Sequence, residues 1–320
     1  LPGMQRLPHR RKDPAGSFHV CLHCRPRHPG TPLKTKTLST GLASSALAAL
    51  LAVSCLAGPA AAAEISTPTP GTAEISQAEQ ARIIGENGAS LGQGLHRLDV
   101  TGDAQVLAKD ELSAAKLPDA APAVGNWQPP GIQGIDVSSH QGNVDWNAAW
   151  NRGSRFAYAK ATEGTGYKNP NFNQQYGGSY NKGMIRGAYH FALPNVSSAV
   201  DQANYFVNNG GGWSADGKTL PPLLDIEYNP YASLGNTCYS MSPTQMVNWI
   251  KGFSDQVKVR TGRVPMIYTT TDWWSYCTGN SAAFGENPLH IANYNHKGAG
   301  KLPASWSVYS IWQYLSLIHI

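Results

Sequence analysis

The sequence predicts an α/β fold built on a mostly parallel sheet, and three observations carry that reading. Seven short β-rich runs follow one another at 132–137, 155–161, 184–192, 221–227, 264–270, 289–293 and 308–314. Helical patterns fall between several of them, and repeated strand–helix alternation is the signature of parallel α/β sheets. The run at 221–226 is almost continuously apolar, as expected of a strand covered on both faces. This pattern fits a barrel and an open sheet equally.

The clearest helix is expected at 243–261. Ser242 suits the N-cap, Pro243 the first turn and Gly262 the stop, while Val247, Ile250, Phe253 or Ser254, and Val257 share one face. A second runs from about Ser198 to Asn209, with Ala199, Ala203, Phe206 and Val207 turned the same way. Both connect successive strands, which is what a parallel crossover requires.

Upstream the composition changes. Residues 1–63 carry eight Lys/Arg against the single Asp13, although the whole chain has a formal net charge of only +5. Lys34 and Lys36 precede the apolar run Leu42 to Leu56, and Ala61-Ala62-Ala63 follows. A positive region, an apolar core and an A-x-A site make an export signal, cut between Ala63 and Glu64. The run falls short of the ~20 apolar residues of a membrane span. From Glu64 onward acidic residues slightly outnumber basic ones, so neither nucleic acid nor stable membrane association is expected.

Residues 64–130 are expected to be a linker or pro-segment, largely disordered, because apolar residues are too sparse there for an independent core. Short helices are nonetheless suggested at Gln77 to Gly85 and at Asp110 to Lys116. Removing the signal takes Cys21, Cys24 and Cys55 with it, leaving Cys238 and Cys277 to form one disulfide in an exported protein. No second pair follows Cys21-x-x-Cys24, so no metal site or cofactor is expected.

Acidic residues arrive where strands end. Asp136 closes the first run, and Asp225 and Glu227 close the fourth. The carboxyl ends of parallel strands form the ligand face of such folds. Spacing of two on a strand sends Asp225 and Glu227 to the same side. Crowded carboxylates resist losing both protons, so one is held as an acid beside a base. Glycoside hydrolysis uses that pairing.

The pieces G-I-D-V-S-S-H-Q-G at 134–142, V-D-W at 144–146, A-K-A-T-E-G at 159–164, G-A-Y-H-F-A at 187–192, L-L-D-I-E at 223–227, Y-T-T-T-D-W-W at 268–274 and I-W-Q-Y at 311–314 occur in one order over some 180 residues. In these the segment 131–314 resembles glycoside hydrolase family 25, the Chalaropsis-type N-acetylmuramidases. The resemblance implies a flattened, irregular β/α barrel and cleavage of the β-1,4 bond between N-acetylmuramic acid and N-acetylglucosamine in peptidoglycan. It implies Glu227 as general acid, with Asp225 and Asp136 as supporting carboxylates. Retention of configuration is expected, either with the substrate's own acetamido group or with an aspartate as nucleophile. Tyr189, Tyr268, Tyr294 and Trp312 would line the groove, with Glu163 and His190 also contacting substrate. Lys160 and Glu163 would form an ion pair beneath it. The enzyme is expected to be secreted and monomeric.

The resemblance stops after Tyr314. Leu315–Ile320 can be encoded by a common sequencing-library adaptor and is expected to be a non-native tail, with the final strand and a further groove aspartate missing. Two alternatives stand beside the muramidase reading. A chitinase-like hydrolase would want an aspartate where Leu223 stands, and a non-catalytic wall-binding protein would have no use for the proton donor.

Overall fold

The protein is described here from a computed structural model, which covers residues 20–22, 74–92, 128–294 and 298–315. The elements run in the order β1 (Val20–Leu22), α1 (Gln77–Ile84), β2 (Ile132–Val137), α2 (Trp146–Asn151), β3 (Phe156–Glu163), β4 (Tyr167–Lys168), α3 (Phe172–Asn181), β5 (Ile185–Phe191), α4 (Ala199–Asn208), β6 (Leu223–Asp225), α5 (Pro243–Thr261), β7 (Met266–Thr269), α6 (Thr271–Thr278), β8 (Leu289–Ala292) and β9 (Ile311–Gln313). The expected helix at Asp110 to Lys116, the export signal at 34–63 and the tail beyond Leu315 lie outside the described residues.

The strands close into a ring. From β2 the neighbours run parallel through β3, β5, β6, β7, β8 and β9. Strand β1 then lies antiparallel between β9 and β2, and β4 hangs as a short antiparallel arm from β3. The sequence reading leaves the barrel without its last strand. Val20–Leu22, which lies upstream of the expected export cut, takes the place between β9 and β2. An open gap would leave backbone donors and acceptors of β2 and β9 unpaired, and the inserted strand satisfies them.

Helix boundaries follow their sequence signals. Helix α5 begins at a capping box: the Ser242 hydroxyl accepts the Gln245 N–H, and the Gln245 side-chain oxygen accepts the Ser242 N–H at 2.9 Å. It ends at Gly262, whose left-handed φ of 70° needs a residue without a Cβ. Helix α4 is capped by Ser198, whose hydroxyl accepts the Asp201 N–H at 3.1 Å. These two helices pack on each other over β5 through Phe206 and Phe253, with Ala203 and Ile250 buried in the same layer. Inside the ring a separate cluster holds Phe156, Tyr158, Tyr189, Leu223, Met266, Tyr268 and Ile311. Alternation along each strand divides the residues: Leu224 and Ile267 face the helices, Leu223 and Tyr268 face the ring interior.

Helix α1 begins the other packed segment. Ser76 caps it by accepting the Glu79 N–H at 3.2 Å, and Gln80 and Ile84 are buried. The sparse apolar pattern of 64–130 predicts no such burial. The contacts come from the domain that follows rather than from the segment itself.

Candidate active site

Two strands deliver three carboxylates to one end of the ring. Asp136 comes from β2, Asp225 from the end of β6, and Glu227 two residues beyond it. The ladder carries past Asp225, since the Ile226 N–H donates to the Tyr268 carbonyl at 3.1 Å, and this holds the D-x-E segment extended. Asp225 and Glu227 therefore share a side, as their spacing predicts. Asp225 is fully buried, and neither of its oxygens has a hydrogen bond among the described residues. Burial above all, and then the neighbouring Glu227 charge, push the Asp225 carboxyl well above the usual carboxylate range, while Lys160 pulls the other way. The crowded pair therefore resists full ionisation.

Asp136 is also pushed up, to about 6, by burial, against a lowering hydrogen bond from Gln313. The Gln313 side chain joins three groups of the site. Its Nε2 donates to Asp136 Oδ2 at 2.9 Å, and its Oε1 accepts the hydroxyls of Tyr268 at 2.6 Å and Tyr294 at 2.7 Å.

A second charged pair lies beside the carboxylates. Lys160 donates to Glu163, and both side chains are fully buried. On a regular strand, residues three apart would face opposite ways. A register shift between Lys160 and Thr162 turns Glu163 back to the side of Lys160. Burial lowers the Lys160 ammonium, and the Glu163 charge opposes that. Glu163 also accepts the Tyr231 hydroxyl.

Residues 135–320 match the glycosyl hydrolases family 25. The chain belongs to that family. It is 40% identical over 275 residues to "Lysozyme M1" of Streptomyces globisporus, covering 86% of this chain and 82% of that protein. That stretch is longer than the family match, so the likeness extends upstream of it. The chain is 47% identical over 189 residues to "N,O-diacetylmuramidase" of a Chalaropsis species, covering 57% of this chain and 87% of that one. In three dimensions it is similar to a muramidase from Acremonium alcalophilum, with TM-score 0.54 and 53% identity over 57% of this chain and 86% of the other.

In this family 25 hydrolase, the expected site residues separate into two groups. Asp136, Asp225, Glu227, Glu163, Tyr189, Tyr268 and Tyr294 come together at the carboxyl end of the ring. His190 and Trp312 do not. Both sit one residue out of phase with the inward positions, so strand alternation turns them to the helix layer. His190 stands against Phe206 and Phe253, with its ring nitrogens bonded to Thr162 at 2.8 Å and Gln202 at 3.0 Å. Burial lowers it to about 3, so the ring is neutral at ordinary pH. Trp312 packs against Tyr314 and donates its indole N–H to the Asn293 carbonyl at 2.7 Å.

Two inward residues escape the sequence reading. Gln313 follows Trp312 in the I-W-Q-Y piece, and the register that pairs Tyr268 with His290 and His290 with Ile311 puts Gln313, two residues on, on the inward side. Tyr231 lies in the loop after β6, where no periodic signal marks it. Among the described residues no group of His, Cys, Asp and Glu is arranged to hold a metal, and no helix is long and apolar enough to cross a membrane.

The expected disulfide forms. Cys238 and Cys277 are bonded, with Cα atoms 5.3 Å apart. The bond ties the loop after β6 to helix α6 after β7, so two of the connections that flank the site are held together.

Proposed function

We propose that this hydrolase is a secreted muramidase that cleaves the β-1,4 bond between N-acetylmuramic acid and N-acetylglucosamine in peptidoglycan. The observation that carries this is the Asp225–Glu227 pair, buried together at the strand ends beside Asp136. The relatives named lysozyme and muramidase support the substrate class. Export through a signal cut at Ala63/Glu64 fits a cell-wall substrate, and that cut would take strand β1 (Val20–Leu22) away with the signal.

Glu227 is the general acid. Its Oε1 can take a hydrogen bond from a group lying in the groove, as it does from the Gly92 N–H at 2.6 Å. A protonated Glu227 gives its proton to the glycosidic oxygen as the bond to the anomeric carbon breaks. Asp225 lies beside the positive charge that develops on the sugar. Its oxygens, without hydrogen bonds among the described residues, are available to orient the acetamido group whose oxygen attacks the anomeric carbon. Asp136, steadied by Gln313, completes the charge around that sugar. Water then opens the intermediate with overall retention. Tyr189, Tyr268 and Tyr294 bound the subsite, and Lys160 with Glu163 forms its floor.

Purified peptidoglycan, digested and analysed for new reducing ends by mass spectrometry, tests this. Reducing-end muramic acid is expected, and none from a Glu227→Gln variant. Reducing-end glucosamine would place the cut at the other bond. NMR of the first products is expected to show the retained anomer, and the inverted anomer would overturn the mechanism.

A further inference from the structure

The groove of this enzyme is occupied by its own chain. The segment Ile75–Gly92 precedes the catalytic domain, yet its end runs across the carboxylates. The Gly92 N–H donates to Glu227 Oε1 at 2.6 Å, and the Ala89 N–H donates to Glu163 Oε2 at 2.9 Å. The Lys160 ammonium donates to the Ala89 carbonyl. Ser139 donates to the Asn87 carbonyl at 2.7 Å, and His140 Nε2 meets the Gly88 carbonyl at 2.9 Å. Ala89 and Leu91 are buried, and Leu91 joins the inner cluster with Tyr189 and Tyr268.

The fit is close. Gly88 and Gly92 have left-handed φ of 62° and 86°. A Cβ on Gly88 would lie 2.5 Å from Glu163 Oε2, and one on Gly92 would lie 2.5 Å from the Tyr294 hydroxyl. The segment is also anchored away from the groove. The Ile75 N–H donates to the Val196 carbonyl at 3.1 Å, and buried Gln80 accepts the Thr165 N–H at 2.8 Å.

We propose that residues 87–92 are a built-in inhibitor and that the intact chain is latent. This rests on the muramidase reading and adds its regulation. Backbone groups of the segment stand on Glu227 and Glu163 where the glycan would have to lie, so segment and substrate exclude each other. A tether holds the segment at roughly millimolar effective concentration, so a seat of even ~0.1 mM affinity suppresses the free site about tenfold. A protease that hydrolyses one peptide bond between Gly92 and Gln128 turns the tethered segment into a ligand that can leave.

The test is the full chain with a site for a sequence-specific protease inserted between Gly92 and Gln128. Hydrolysis of labelled peptidoglycan is measured before and after cutting, with Gly88→Leu/Gly92→Leu as an uncut companion. A fluorescent peptide of residues 75–92 reports binding to the cut protein without reference to activity. Cutting and the double substitution are each expected to raise the rate about tenfold or more, and added peptide to reverse the gain from cutting. Equal rates before and after cutting, with no peptide binding, would overturn the latency and leave the muramidase reading standing. Peptide binding with no hydrolysis from any form would uphold the occupied groove and overturn the substrate. Neither binding nor hydrolysis would remove both.

Discussion

Gln313 donates to Asp136 across 2.9 Å, joining the last parallel strand of the domain to its first. The two residues are 177 positions apart, and strand β1 lies between their strands. One amide thereby spans the closure of the ring and orients a carboxylate of the site.

Replacing Gln313 by Leu is expected to leave Asp136, Tyr268 and Tyr294 each short of a partner. Loss of a buried hydrogen-bond partner costs about 1–3 kcal/mol. Urea unfolding should show a loss of that size. Because the Gln313 bond lowers Asp136, the Asp136 titration should also move upward, followed by carboxyl NMR in wild type and variant. An unchanged titration would mean that Gln313 does not govern Asp136.

Asp136 gives a stability prediction with a definite sign. Its folded value of about 6 exceeds the ordinary 3.8, so the folded protein holds an extra proton between these two pH values. Stability from this group is present below pH 3.8 and is lost as pH rises to 6. Asp136→Asn, which cannot ionise, should therefore gain on wild type across that window. The gain is up to about 3 kcal/mol, less what residual solvent contact screens. Denaturant midpoints at pH 4 and pH 8 measure it.

His190 runs the opposite way. Its folded value of about 3 lies below the ordinary 6.5, so the neutral ring contributes stability above pH 6.5 that falls away toward pH 3. His190→Gln should flatten the acid limb of the stability profile and leave kcat at neutral pH near wild type. A large loss of kcat would put His190 back in the groove.

The Lys160–Glu163 pair should show strong coupling. Lys160→Met leaves a carboxylate buried without its counter-charge, at about 3–5 kcal/mol. The double variant Lys160→Met/Glu163→Gln should recover much of that loss. A double-mutant cycle with no interaction energy would mean that the two side chains do not depend on each other.

Reduction of Cys238–Cys277 opens a loop of 39 residues in separation. By loop entropy this should lower stability by roughly 4 kcal/mol. Urea midpoints with and without reductant check it. An unchanged midpoint would mean that the folded protein already compensates.

Local signals were legible from the residues alone. The N-cap at Ser242, the stop at Gly262 and the helix start near Ser198 each act within a few residues of themselves. The same holds for Asp225 and Glu227, whose shared side follows from a period of two. The Gln77–Ile84 helix also appears where its own residues suggest, but its burial does not follow from them. Parity fails at Glu163, where an irregularity at Lys160/Thr162 reverses the face, and nothing local announces it.

The sequence by itself determined the order of the seven parallel strands and of the helices at 198–209 and 243–261, the carboxylates at strand ends and the pairing of Cys238 with Cys277. These depend on short-range periodicity, on chain punctuation and on a cysteine count. Only the tertiary structure decided that Val20–Leu22 closes the ring, that Gln313 rather than Trp312 reaches Asp136, and that Asn87–Gly92 lies on Glu227 and Glu163. Each of those joins residues far apart in the chain, and such contacts are chosen by which surfaces the folded domain leaves unsatisfied. The unpaired strand edges, the buried charges and the groove become available only once the rest has packed.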